Sequence, residues 1–273
     1  MAEWSTVSYF YDGGLSGFLT CVFESYVHRE APACFFTPED PRVSLWPERR
    51  VETDEDHARR VYRSLGEKIA PGARALVSRG FLTCLPEREL HLWRFIELGY
   101  RRGSRVLEDL AEPRVNVLNR AVLQLNHEAH LYTGFVRFSE QTGVLVSEIE
   151  PKNRVLPVLR AHFCARFSRE TFVIYDRTHR EALFHQPGRW TIVPLSEFRV
   201  AAPGETELDF RRLWRRFYDA IAIEDRRNPK LRMTHMPKRY WHMLTEFQED
   251  GEAPVRPGPA PSPPLPPVGE RAP

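Results

Sequence analysis

The sequence predicts an α+β fold: a helical N-terminal part, a central mainly antiparallel sheet with one crossover helix, basic C-terminal helices and a disordered tail. Three observations carry this. Through residue 131 apolar side chains recur at steps of three and four, between residues 132 and 200 they gather in short β-branched and aromatic runs, and from Glu207 the helical step returns. Apolar residues make up 42% and charged residues 28% of the 273, close to the average for soluble globular proteins, so a sizeable core is available.

In the first helix, Leu15, Phe18, Leu19, Val22, Phe23, Tyr26 and Val27 share one face. A second starts at Thr53, whose side chain caps it while Asp54, Glu55 and Asp56 favour the positive end of the helix dipole; Val61, Tyr62, Leu65 and Ile69 follow, and Pro71 and Gly72 end it. Pro86 and Gly103 bracket a third, with Leu90, Trp93, Ile96 and Tyr100 in register. A fourth runs from about Arg114 to His130.

Strands are expected at Phe135 to Phe138, Val144 to Ile149, Thr171 to Tyr175, Ala182 to His185 and Trp190 to Val193. Val155, Leu156, Leu159 and Phe163 make Asn153 to Phe167 the crossover helix. A long helix spans Glu207 to about Glu224, with Leu213, Trp214, Phe217 and Ile221 as its buried side, and a short one begins at Pro237. Residues 251–273 hold nine of the 23 prolines and no aromatic residue, the signature of an extended, mobile segment. The expected organisation is one α+β unit over residues 1–250, divided into helical 1–131, strand-rich 132–200 and basic helical 201–250, followed by the proline-rich tail 251–273.

The net charge of +2 conceals a segregation: residues 211 to 240 carry ten basic side chains against three acidic ones. Interleaved with Trp214, Phe217, Tyr218, Tyr240 and Trp241, this stretch combines phosphate neutralisation with stacking surface, the two ingredients of nucleic-acid contact; a solvated helix face has the same composition. Only four of the 39 basic residues are Lys. Arg pairs phosphate well, but a G+C-rich genome gives the same excess.

Cys21, Cys34, Cys84 and Cys164 lie far apart, without the clusters that ligate zinc or iron-sulfur centres, and read as reduced buried thiols. His127, Glu128 and His130 place two imidazoles three residues apart, but they do not form H-E-x-x-H and no third ligand is identifiable, so no metal site and no cofactor are assigned. Asp176 ends an apolar strand and is followed by Arg177 and Arg180; strand ends present site residues, and an Asp there also caps its own turn. P-loop, G-x-G-x-x-G and G-x-S-x-G patterns are absent, which removes the usual signatures of nucleotide hydrolysis, dinucleotide binding and serine hydrolysis. No leader pattern opens the chain and no apolar run approaches the roughly 20 residues that span a bilayer, which predicts a soluble, cytoplasmic protein without a membrane partner.

Several stretches together carry a resemblance: Tyr11-Asp12-Gly13, Gly17-Phe18-Leu19-Thr20, Glu128-Ala129-His130, Gly134-Phe135-Val136-Arg137-Phe138, Ile149-Glu150-Pro151-Lys152-Asn153, Ile174-Tyr175-Asp176, Asn228-Pro229-Lys230-Leu231 and Met236-Pro237-Lys238-Arg239-Tyr240-Trp241. The chain resembles, over about residues 8 to 247, a bacterial family described as a probable DNA metabolism protein, the domain of unknown function 4130. Members are similar in being encoded beside a radical S-adenosylmethionine (radical SAM) protein thought to act on DNA, and a related domain occurs fused to a uracil-DNA glycosylase-like domain. The resemblance implies a companion module in DNA repair or modification and carries no established catalytic residues.

The expected function is therefore a DNA-associated companion of a radical SAM enzyme, with Arg137, Arg177, Lys230, Arg232, Lys238 and Arg239 facing phosphate and Tyr240 or Trp241 facing bases. Two alternatives stand beside it: a nuclease or base-processing enzyme using His130 and Asp176 as catalytic groups, and a protein-protein adaptor whose basic helix docks an acidic partner.

Overall fold

A computed structural model describes residues 4–198, 204–220 and 228–247. The architecture is α+β with two sheets. The first holds β1 (Ser5–Phe10), β2 (Glu30–Phe36) and β3 (Glu48–Arg50), all parallel, in the order β2-β1-β3. Helix α1 (Leu15–His28) connects β1 to β2 and buries Phe18, Leu19, Cys21 and Val22. This corrects the wholly helical reading of residues 1–131. Parallel pairing is made across the chain rather than between neighbours, and β3, Glu-Arg-Arg, has no apolar residue to announce it.

Helix α2 (Glu55–Ser64) begins one residue later than its sequence signal. Asp54, not Thr53, is its cap, accepting the N–H groups of Asp56 and His57, while the Thr53 hydroxyl donates to Asp12 at 2.7 Å. A π-helical turn, Leu65–Ile69, follows, and Pro71 opens α3 (Pro71–Gly80) instead of closing the helix before it. Proline has no N–H to lose at a first helical turn, so the same residue suits a start as well as a stop. Then come α4 (Arg88–Arg102) and α5 (Pro113–Phe135).

The second sheet has the order β4-β5-β6-β7-β8: β4 (Ser139–Gln141), β5 (Val144–Ile149), β6 (Phe172–Asp176), β7 (Glu181–Gln186) and β8 (Arg189–Pro194). Only the β5–β6 pair is parallel, and α6 (Leu156–Arg166) makes the crossover between them. The strand expected at Phe135 to Phe138 is displaced to Ser139–Gln141, because α5 runs on to Phe135. After the sheet, α7 (Glu205–Ala220) and a helix that the sequence reading missed, α8 (Pro229–His235, capped by Asn228), lead to 3-10 turns at Lys238–Met243 and Thr245–Phe247.

Among the described residues the apolar side chains form two large cores and a small cluster of Val173, Tyr175 and Ala182. The first gathers Tyr9, Phe18, Leu65, Leu92, Phe95, Ile96 and Leu118; the second gathers Leu125, Tyr132, Ile149, Leu156, Phe172, Ile174, Leu183, Tyr240 and Leu244. Helix α5 belongs to both, supplying Val115 and Leu118 to one and Leu125, Ala129 and Tyr132 to the other. Each fully buried side chain of this size contributes about 1.5–3 kcal/mol over leaving it exposed, so α5 ties the two together.

All four cysteines are free, but only Cys21 is buried; Cys84, in the loop between α3 and α4, is exposed, which corrects the uniform buried-thiol reading. Among the described residues no helix is long and apolar enough to cross a membrane. The tail 251–273, Ile221, Arg226 and Arg227 lie outside the described residues.

Candidate functional site: a buried carboxylate and a polar strand end

Glu128 sits three residues after Leu125 and four before Tyr132 on α5, so the apolar stripe carries it into the second core, where it is 3% exposed. A carboxylate there must be met by donors. The loop after β5 supplies three: the N–H groups of Lys152 at 3.0 Å and Asn153 at 2.9 Å, and Asn153 Nδ2 at 2.6 Å. The Arg239 guanidinium adds an ion pair at 3.2 Å. Asn153 in turn accepts the Cys84 N–H at 2.9 Å, and the Arg154 N–H donates to the Leu82 carbonyl at 2.9 Å, which ties in the loop between α3 and α4. One carboxylate thereby gathers three of the motif stretches.

Arg239 also lies 4.6 Å over the Tyr240 ring and donates to the Tyr240 hydroxyl. Tyr240 meets Tyr132 edge to face at 5.2 Å. The Tyr132 hydroxyl is buried and has no hydrogen-bond partner among the described residues, and burial, reinforced by Tyr240 and Glu128, pushes its ionisation far upward.

Parallel pairing aligns the C-terminal ends of β5 and β6, where Ile149 is opposite Asp176. The Asp176 carboxylate is fully buried. Its Oδ1 accepts the N–H groups of Thr178 at 3.0 Å and His179 at 3.1 Å, and its Oδ2 lies 2.7 Å from His179 Nδ1. Arg177 reaches back to Glu150 at 2.7 Å. Across the hairpin Glu181 faces Asp176; its Oε2 accepts Arg154 Nη1 at 3.0 Å, while its Oε1 is buried without a donor among the described residues, and burial raises its carboxyl above the ordinary range. One ligand atom from each of Asp176, His179 and Glu181 falls within 4.8 Å of the others, the arrangement among the described residues that could hold a metal ion.

Asp176 thus stands at the strand end the sequence indicated and caps its own turn. His130 is exposed on α5, with its carbonyl accepting the Thr133 hydroxyl; the imidazole that meets Asp176 is that of His179, not His130. Of the residues expected to face phosphate, Arg137 is paired with Glu246 at 2.9 Å and Arg177 with Glu150, whereas Lys230 and Lys238 are exposed and form no ion pair among the described residues. Arg232 lies 5.1 Å over the Trp241 ring. Trp241 donates to the Met236 carbonyl and stacks on Phe247 at 4.6 Å, leaving it partly covered.

Two expectations are corrected. Tyr240 is 1% exposed, held between Tyr132, Phe135 and Arg239, and presents no face for a base. On α7 the supposed buried side is open: Leu213, Trp214 and Phe217 are 62%, 41% and 52% exposed, joined by Phe210. The sequence reading also missed Asn153, Tyr132, His179 and Glu181 as site residues; the D-x-x-H-x-E spacing of the hairpin is the signal that marks the last two.

No curated protein matches this chain. The family model of DUF4130, a domain of unknown function, matches residues 86–246, which is more than half of the chain and includes Glu128, Asn153, Asp176, His179, Glu181 and Arg239. The chain belongs to the DUF4130 family.

Proposed function

We propose that this protein is a DNA-associated companion in bacterial DNA repair or modification, working beside a radical SAM enzyme, and that its DNA-facing surface is centred on Lys152, Lys230 and Lys238. The observation that supports this reading is the convergence at Glu128: the carboxylate holds the Lys152 backbone and the Arg239 guanidinium, so two cationic motif stretches far apart in sequence meet, with Lys238 adjacent and exposed. Between residues 228 and 247 four Lys or Arg stand against one acidic residue, Glu246, which Arg137 already neutralises.

The test is fluorescence anisotropy with labelled single- and double-stranded DNA over a salt series. Each lost phosphate contact lowers the log-log salt slope by about 0.7–0.9, so Lys230→Ala with Lys238→Ala should flatten it by about 1.4–1.8. No binding at low salt, or an unchanged slope in the double variant, contradicts the proposal.

A second reading, the protein-protein adaptor, is favoured by the open apolar stripe of α7, since Phe210, Leu213, Trp214 and Phe217 follow the spacing of a helix that lies in a groove. Nuclease-resistant co-purification with a radical SAM protein, without intrinsic DNA affinity, selects it over the first.

A further inference from the structure

We propose that the β6–β7 hairpin is a site for one divalent transition-metal ion of the zinc or manganese type, held by Asp176, His179 and Glu181. This goes beyond the DNA-associated reading and does not depend on it. Geometry carries the argument. Ladder pairing places Asp176 and Glu181 opposite each other at the mouth of the hairpin, and the turn between them returns His179 over the gap, so that three donors from six consecutive residues converge within 4.8 Å. Ligands on a common ion at about 2.0–2.2 Å sit roughly 3–3.5 Å apart, so the three donors reach one ion by small side-chain shifts, with the Asp176–His179 hydrogen bond opening to admit it.

One further observation points to a cation. Glu181 Oε1 is a buried carboxylate oxygen with no donor among the described residues, although its twin oxygen is satisfied by Arg154. Such an oxygen requires a cation or a proton.

Charge and chemistry agree. Asp176 and Glu181 bring two negative charges and Arg154 one positive, which leaves a deficit that a divalent ion reverses. An imidazole nitrogen beside two carboxylate oxygens suits zinc or manganese better than calcium or magnesium, which favour all-oxygen shells. The backbone N–H groups of Thr178 and His179 fix Asp176 Oδ1 and turn Oδ2 toward the ring, the outer support that a ligating carboxylate needs. Three protein donors leave at least one position for water or another ligand.

The test is calorimetric titration of the full chain, stripped with chelator, with zinc chloride and separately with manganese chloride. One equivalent should bind, and His179→Gln and Glu181→Gln should each weaken binding by about 100-fold. Asp176→Asn keeps the turn cap and gives a third variant should either of the others unfold. Replacement by cobalt(II) should give visible d–d bands without a thiolate charge-transfer band. The proposal fails if neither metal binds saturably, if folded variants bind as the parent does, or if a thiolate band places cobalt on the cysteines.

Discussion

Replacing Glu128 by Ala tests whether this carboxylate organises the second core. Its removal strips the acceptor from two backbone N–H groups and the Asn153 amide in a place where Asn153 is itself buried, and leaves Arg239 without its partner. A buried donor left unsatisfied costs about 1–3 kcal/mol, and removing one member of a buried charged group costs about 3–5 kcal/mol after relaxation, so Glu128→Ala should lose about 3–5 kcal/mol. At roughly 2–4 °C per kcal/mol for a chain of this size, Tm should fall by about 6–20 °C. Glu128→Gln keeps one acceptor oxygen and should lose about half as much. Arg239→Ala should lose about 1 kcal/mol or less, since its side chain is 41% exposed and Glu128 retains its three N–H donors. Urea unfolding followed by tryptophan fluorescence, with an unchanged m-value, measures all three. A loss below about 1 kcal/mol for Glu128→Ala, or equal losses for Glu128→Ala and Arg239→Ala, would refute the reasoning.

Three other perturbations bear on separate parts of the molecule. Arg49, at 2.6 Å and through a second bond, holds the Glu30 carboxyl below its ordinary value, with help from the Tyr9 hydroxyl; this stabilisation is complete above the unfolded carboxyl value of about 4.3 and is lost as pH falls through the lower folded value, so Glu30→Gln should lose about 1–3 kcal/mol at neutral pH and shrink the stability difference between pH 7 and pH 3. An unchanged difference rejects it. At Gly17 a Cβ would stand 2.2 Å from Asp12 Oδ1 and 2.9 Å from Thr53 Oγ1, so Gly17→Ala should break that pair and lose about 1–3 kcal/mol, whereas Gly134→Ala, with open space at the Cβ, should gain up to about 1 kcal/mol; melting curves of the two should shift in opposite directions. On α7, Phe210→Ser with Leu213→Ser should change stability by less than about 1 kcal/mol, because neither side chain is buried, and a loss above about 2 kcal/mol in urea unfolding would show that this face is covered in solution.

How much of this was legible in the sequence depended on whether the signal was local. The antiparallel pairs of the second sheet are joined by short turns and announce themselves within ten residues of one another, and the parallel pair β5–β6 is marked by the apolar stripe of α6 between its strands. The first sheet does not, since β1 pairs in parallel with strands that lie beyond α1 and β3 is three polar residues long. Asp176 was visible because an apolar strand ends on it. Glu128 stood inside a recognised motif but was read as part of a polar helix terminus; the helix runs seven residues further, to Phe135, and that makes position 128 interior and buried. His179 and Glu181 were hidden by the alternation of a tight hairpin, where residues pointing to one side are separated by Arg177, Thr178 and Arg180 that point away from any simple period. Tyr240 was misread because aromatic residues beside basic ones look alike whether they stack on a base or fill a core.

The excess of Arg over Lys takes on a different meaning once the ion pairs are placed. Arg49, Arg88, Arg114, Arg137, Arg154, Arg177 and Arg239 each bridge a carboxylate of the same chain, whereas Lys152, Lys230 and Lys238 are exposed and form no ion pair among the described residues. A guanidinium already bonded to a carboxylate must break that bond before it meets a phosphate, and its counterion release is correspondingly smaller. The few Lys, not the many Arg, should therefore set the salt dependence of any DNA binding. Replacing Lys152, Lys230 and Lys238 by Ala together should flatten the log-log salt slope on duplex DNA by about 2.7, while Arg137→Ala and Arg177→Ala should each change it by less than about 0.5. If the Arg variants flatten the slope as much per residue as the Lys variants do, the internal ion pairs open on binding and the paired Arg belong to the interface after all.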